Sequence, residues 1–290
     1  MDDTIIKGVL YKQGGTSFIL SGNGKKHFEN NLIWQGYLTH WLNQKVCARL
    51  LPQKDYVSGE PIIIMWPDVP ESQEPFVEFY YNERLVKYPV SLFGHNAINI
   101  QNHIYNFSHL LNENEILKQE EFFYRPALGE FAPSPHNGKF EIMEDGKAYY
   151  DKFGRQFMRT IHVIRILGMD IGKLSHIYDN ELETIHQTPV DPKAPAKYKD
   201  FNFFNRSCST IIRDGLIAYG FKDICGILPR DLFVNILYNL HKQKQSMGIE
   251  LELYTKQQLK VQEAPRSVMT PLFNLKNRSR YQKLKTIGLV

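Results

Sequence analysis

The stretch Phe93-Gly94-His95-Asn96-Ala97-Ile98-Asn99-Ile100-Gln101-Asn102-His103-Ile104-Tyr105-Asn106-Phe107 decides how the larger part of this chain folds. Apolar residues alternate on both sides of the polar residues Gln101, Asn102 and His103, which is the pattern of two strands joined by a tight turn. With Gln101-Asn102 at the centre of the turn, residues whose numbers sum to 203 face one another, so Ala97 lies opposite Asn106 and His95 opposite Ser108. Alternation then puts His95, Ala97, Asn106 and Ser108 on one face, with Asn106 diagonal to His95 and within reach of its ring. Ser108 is the alternative partner, and a slip of one residue would remove both. Gly94, just ahead of the histidine, permits close approach by another chain segment.

A second stretch, Asn205-Arg206-Ser207-Cys208-Ser209-Thr210-Ile211-Ile212-Arg213-Asp214, places a thiol at the start of a helix whose apolar face is Ile211, Ile212, Leu216 and Tyr219. The reactive form of cysteine is the thiolate, and a helix N-terminus favours its negative charge. Cys208 is therefore the candidate nucleophile, and the unpaired N–H groups beside it are candidate oxyanion donors. Cys47, in a strand, and Cys225, in a loop, have no helix start behind them and read as structural. A cysteine nucleophile needs a base and a group that orients the base. Among the ten histidines, His95 alone opens a strand directly after a glycine, which makes it the candidate base, with Asn106 as its orienting partner.

Outward from these stretches the chain divides in two. Residues 4–66 read as short strands broken at Gly14-Gly15 and Gly22-Asn23-Gly24, with one helical stretch through Leu32, Trp34, Leu38, Trp41 and Leu42. That pattern suggests a small β-barrel of the oligonucleotide/oligosaccharide-binding type over residues 1–68. Trp34 and Trp41 share a helical face and read as core. Pro67, Pro70 and Pro75, among acids, form a joint, and residues 76–290 follow as the second domain. There the pattern predicts strands over Phe76 to Tyr81, Leu85 to Val90 and Thr160 to Leu167. It predicts helices over Glu113 to Tyr124, Met169 to His186, Ser209 to Tyr219 and Pro229 to Lys244, with proline-bearing loops at 131–138 and 188–199. The fold class is α+β.

Composition narrows the classes. With 290 residues, 42% hydrophobic and 23% charged, the chain can bury a substantial core without disulfides, and its three cysteines suit neither a disulfide framework nor a zinc motif. No run approaches the ~18 apolar residues of a membrane span. The N-terminus lacks the basic and apolar regions of a signal peptide, so synthesis in the cytoplasm is expected. The net charge of +4 and the basic cluster Lys276, Arg278, Arg280, Lys283 and Lys285 read as a solvated surface, with nucleic acid the weaker reading. No ligand spacing for a metal and no phosphate loop is present, and no cofactor is expected.

Taken together, the block from Phe93 to Phe107 is similar to the histidine hairpin of permuted NlpC-type papain-like proteins, and the block at Asn205–Thr210 resembles their cysteine helix. The base precedes the nucleophile by 113 residues, the order of the permuted branch, which includes lecithin:retinol acyltransferase-like proteins and a bacterial group with an FGH hairpin. Two departures stand out. Arg206 and Ser207 separate Asn205 from the cysteine, whereas in these families asparagine usually abuts it; Asn106 stands where the acyltransferase branch has a second histidine. The resemblance implies a circularly permuted papain-like domain and a Cys-His-Asn hydrolase acting on an amide, as in bacterial cell-wall peptide. Its alternatives are a phospholipase or acyltransferase acting on a lipid ester, with Phe201, Phe203, Phe204, Phe122, Phe123 and Tyr124 as candidate lining, and a non-catalytic adaptor in which Cys208 and His95 do not meet. The architecture would suit an effector or toxin exported by a specialised secretion machine, with that machine or an immunity protein as partner.

Overall fold

Glycine pairs and apolar alternation act first at the N-terminal end. Gly14 and Gly15 both adopt positive φ, as a two-residue hairpin turn demands, and join β1 (Ile6–Gln13) to β2 (Thr16–Leu20). The strands β3 (Lys26–His27), β4 (Lys45–Lys54) and β5 (Pro61–Pro67) complete an antiparallel sheet in the order β3-β2-β1-β4-β5. The computed structural model of the protein describes residues 4–31, 33–54, 60–70, 74–84, 92–125, 160–257 and 269–290. Among them this sheet does not close: β3 and β5 stand at opposite edges and do not pair, so the barrel expected from the strand count is an open five-stranded sheet. Strand number alone does not close a sheet; closure needs tilt and stagger that bring the edges together.

The chain forms two compact units, and the first, after running to Glu71, resumes at Glu120. Helix α1 (Gln35–Trp41) buries Tyr37, Leu38 and Trp41. Trp41 stacks on Tyr37 at 5.3 Å and meets Tyr124 edge-on at 5.5 Å, a core position as its helical spacing suggests. Tyr124 belongs to α2 (Gln119–Tyr124), whose Phe122 and Phe123 are buried. These three aromatics thus belong to the packing of the first unit. Where one helix was expected over Glu113 to Tyr124, there is a 3-10 turn at Leu111–Glu113, a strand β9 (Glu115–Lys118) and the short α2. Lys118 and Leu117 pair with His103 and Ile104, and this ladder overrides a weak helical pattern.

The second unit holds Ser72–Gln119, Arg159–Gln257 and Arg266–Val290. Its sheet has six antiparallel strands in the order β11-β10-β6-β7-β8-β9, with β6 (Phe76–Asn82), β7 (His95–Ile100), β8 (His103–Asn106), β10 (Thr160–Leu167) and β11 (Glu250–Gln257). The expected strand Leu85 to Val90 and the loop at 131–138 lie outside the described residues. Four of the described helices belong to this unit: α3 (Ile171–Gln187), α4 (Cys208–Tyr219), α5 (Pro229–Met247) and α6 (Leu275–Thr286). Alternate strand residues Phe79, Ile98, Ile100, Tyr105, Ile164 and Ile166 form one apolar core with Tyr178, Ile212, Leu216, Phe233 and Leu237 from these helices. The described residues thus make an α+β protein with two antiparallel sheets and six helices. No described helix is long and apolar enough to cross a membrane.

Candidate active site

The hairpin has the register that its turn dictates. Gln101 and Asn102 both have positive φ, and Ala97 pairs with Asn106, Ile98 with Tyr105 and Ile100 with His103. Gly94 enters the strand at φ +81°, and a Cβ there would lie 2.4 Å from the Asn82 carbonyl oxygen, so the backbone passes β6 where no other residue fits. This delivers His95 at the mouth of the sheet, half-buried, beside β6.

Asn106 takes the imidazole. Its Oδ1 lies 2.7 Å from His95 Nε2, while its Nδ2 donates to the Glu113 carbonyl at 2.7 Å. The second bond fixes the amide orientation: Oδ1 must accept from the ring, Nε2 carries the proton, and Nδ1 is left with its lone pair. Ser108 instead donates to the Glu113 carboxylate at 2.6 Å. Asn114 organises this turn, accepting from the Ser108 N–H at 2.9 Å and donating to the Leu110 carbonyl at 2.7 Å. The Asn114 carbonyl in turn meets the His186 ring at 2.7 Å.

Cys208 is the first residue of α4. Ser207 caps the helix by accepting from the Thr210 N–H at 3.4 Å, while the Thr210 hydroxyl accepts from the Ser207 N–H at 2.8 Å. This reciprocal box satisfies two end donors. The N–H groups of Cys208 and Ser209 have no protein acceptor among the described residues, and they point from the positive end of the helix. Arg206, one of the two residues intervening after Asn205, pairs with Glu181 and donates to the Tyr198 hydroxyl at 2.8 Å. It ties the segment before the cysteine to α3.

Asn96 joins the two halves of the site. Its Oδ1 accepts from Ser209 at 2.9 Å, its Nδ2 donates to the Tyr80 carbonyl at 3.0 Å, and its backbone N–H bonds the Cys208 sulfur. Burial of Cys208 raises its pKa, but the His95 charge, the His95 hydrogen bond, the Asn96 N–H and the Ser209 hydroxyl together outweigh it and lower the pKa to about 7. The thiol and the imidazole therefore meet, and Cys208, His95 and Asn106 form a chain of contacts from sulfur to amide.

Protein families, curated proteins and solved structures offer no match to this chain. The site is accordingly read from its own geometry. Sequence reasoning brought together Cys208, His95 and Asn106; it missed Asn96, Asn114 and the Ser207–Thr210 box. The box was legible as Ser-x-x-Thr before an apolar run, whereas the roles of Asn96 and Asn114 depend on which segments fold against them. Cys47 is buried and its thiol donates to the Asp68 carboxylate at 3.3 Å; burial first, then the Asp68 hydrogen bond, pushes its pKa up to about 11. Cys225, read as structural, is solvent-exposed. An aromatic cluster borders the site through chain neighbours of both residues: Phe93 lies 5.7 Å from Phe203 and 5.9 Å from Phe273, and Phe203 lies 5.5 Å from Phe204. Phe204 is 68% exposed. No group of described His, Cys, Asp or Glu residues is placed to hold a metal ion.

Proposed function

We propose that the protein is a cysteine-dependent acyl hydrolase of permuted papain-like design that cleaves an amide, with Cys208 as nucleophile, His95 as general base and acid, and Asn106 as the group that holds the ring. The observation that carries this reading is the polarised chain from the Cys208 sulfur through His95 to Asn106, at the N-terminus of a capped helix. In the first step His95 Nδ1 takes the thiol proton and the sulfur attacks the carbonyl carbon. The oxyanion is received by the free N–H groups at the start of α4. His95 then returns the proton to the leaving amine, which leaves a thioester on Cys208. Water, activated by the same imidazole, attacks the thioester, and the acid departs as the sulfur is released.

A second reading keeps the nucleophile and takes a lipid ester as substrate. It is favoured by the exposed aromatic residues Phe203, Phe204 and Phe273 beside the site, which offer apolar surface to an acyl chain. The adaptor reading requires Cys208 and His95 to stand apart, and the contact between them argues against it.

The test is alkylation of Cys208 by iodoacetamide across pH, in wild type and His95→Ala, with exposed Cys225 as an internal control. The wild-type thiol is expected to ionise at about 7. In His95→Ala the midpoint should rise to or above the ~8.5 of a free cysteine, since burial then acts unopposed by the imidazole. An unreactive Cys208, or a midpoint indifferent to His95, overturns the proposal.

A further inference from the structure

The geometry points to a phosphoryl-binding groove between α5 and α6 in the second unit, separate from the Cys208 site and independent of the function proposed for it. The groove has a volume of about 560 Å³ and is lined by Lys242, Lys276, Arg280 and Lys283, with Asp223 as its one acidic residue. Its floor is Tyr238, over whose ring stand Arg280 at 5.6 Å, Lys242 at 5.8 Å and Lys283 at 6.0 Å.

Local charge balance bears on this place. Arg206 of the same unit pairs with Glu181 and Arg213 with Asp214. Among the described residues none of the four groove cations has an acidic partner at ion-pair distance. Helix α6, LKNRSRYQKLKT, contains five basic residues and no acid. Three positive side chains gathered over one aromatic ring repel one another, and the ring quadrupole offsets that only in part. A multivalent anion removes the repulsion and gains charge-assisted hydrogen bonds. The planar fork of Arg280 and the mobile ammonium groups suit the oxygens of a ligand with two or more phosphoryl groups. Such groups occur on free polyphosphates and on phosphorylated lipid headgroups, and the groove chemistry is the same for both.

Cys225 supplies the readout. Its sulfur lines the same groove, accepting from Asn235 Nδ2 at 3.2 Å and lying 3.9 Å from Arg280 Nη1. A ligand held by Arg280 covers the thiol. The experiment measures labelling of Cys225 in the full chain by neutral iodoacetamide, quantified on its peptide, with tripolyphosphate, with sulfate at equal ionic strength, and with phosphatidylcholine vesicles with or without phosphatidylinositol bisphosphate. Saturable protection by tripolyphosphate is expected, with its half-point weakened about tenfold in Lys242→Gln and in Arg280→Gln, the worth of one hydrogen bond to a charged group. Each variant is compared with itself without ligand, and unchanged urea midpoints show that both fold. Protection by bisphosphate-containing vesicles as well assigns the lipid source; protection by tripolyphosphate alone assigns the free one. Equal protection by sulfate, protection that survives both substitutions, or none from any phosphate overturns the proposal.

Discussion

At the scale of single residues, the site rests on which atom of each side chain is already engaged. Asn106 presents its oxygen to His95 only because its nitrogen is held by the Glu113 carbonyl. Asn106→Ala frees the ring and withdraws an acceptor from the imidazolium that forms during attack. The expected loss in kcat is about ten- to hundredfold, the equivalent of ~1.5–3 kcal/mol for a hydrogen bond to a charged group. Turnover of p-nitrophenyl acetate by wild type, Asn106→Ala and Ser108→Ala checks it. Ser108→Ala should keep near wild-type turnover, because Ser108 bonds Glu113 and not the ring; equal losses in the two variants would remove Asn106 from the chain of contacts. Cys208 and Cys47 should also separate by reactivity at neutral pH: Cys208 is expected to ionise at about 7, whereas buried Cys47, raised to about 11, stays protonated and unlabelled.

At the scale of elements, the start of α4 was legible and its placement was not. An apolar face after a small polar stretch marks where the helix begins, and the Ser207–Thr210 box fixes Cys208 as its first residue. The packing that aims the helix comes from α3: Tyr178 donates to the Ile212 carbonyl at 2.9 Å and lies flat against Gly215, where a Cβ would meet the Tyr178 ring at 2.3 Å. Gly215→Ala is expected to force the two helices apart and cost about 1–3 kcal/mol, as overpacking does. Urea unfolding measures that cost, and Tyr178→Leu in the same chain should recover part of it by opening the space; an unperturbed midpoint for Gly215→Ala would mean the helices yield freely. Elements that escaped the sequence include two strands and helix α6, whose residues read only as a basic cluster. The strand β9 was hidden in a segment of helical spacing, and β11 alternates only over Leu251 and Leu253 among charged residues, so its pairing with β10 carries the assignment. Both are edge strands of the sheet, where one face or one side has little apolar pattern to show.

At the scale of the whole molecule, the chain returns to its first unit through residues that no local pattern flags. Arg49, 3% exposed, is held by Glu120 at 3.1 Å and also by Glu121, which Arg125 shares. Burial alone would raise the Glu121 pKa, but Arg125 and then Arg49 outweigh it and hold the carboxyl below its ordinary value of 4.5. A depressed carboxylate contributes stability above its unfolded pKa, and that contribution is lost as pH falls through the lower, folded value. Arg49→Leu is therefore expected to destabilise the first unit at neutral pH by about 1–3 kcal/mol, since two part-buried carboxylates lose a partner while Glu121 keeps Arg125, and to flatten its loss of stability below pH 4.5. Thermal unfolding of both proteins from pH 7 to pH 3 follows it, and identical acid limbs would show that the cluster is not the source. By itself the sequence determined the α+β class, the hairpin register about Gln101-Asn102, the helix that begins at Cys208 and the candidates Cys208, His95 and Asn106, because side-chain alternation, turn chemistry and helix ends act within a few residues. Only the tertiary structure decided that β3 and β5 stay unpaired among the described residues, that residues 120–125 return to the first unit, that Asn96 joins hairpin to helix, and that three cations converge on Tyr238. These depend on contacts between segments far apart in the chain, whose energies come from burial and charge in the assembled fold and leave no periodic trace in the sequence.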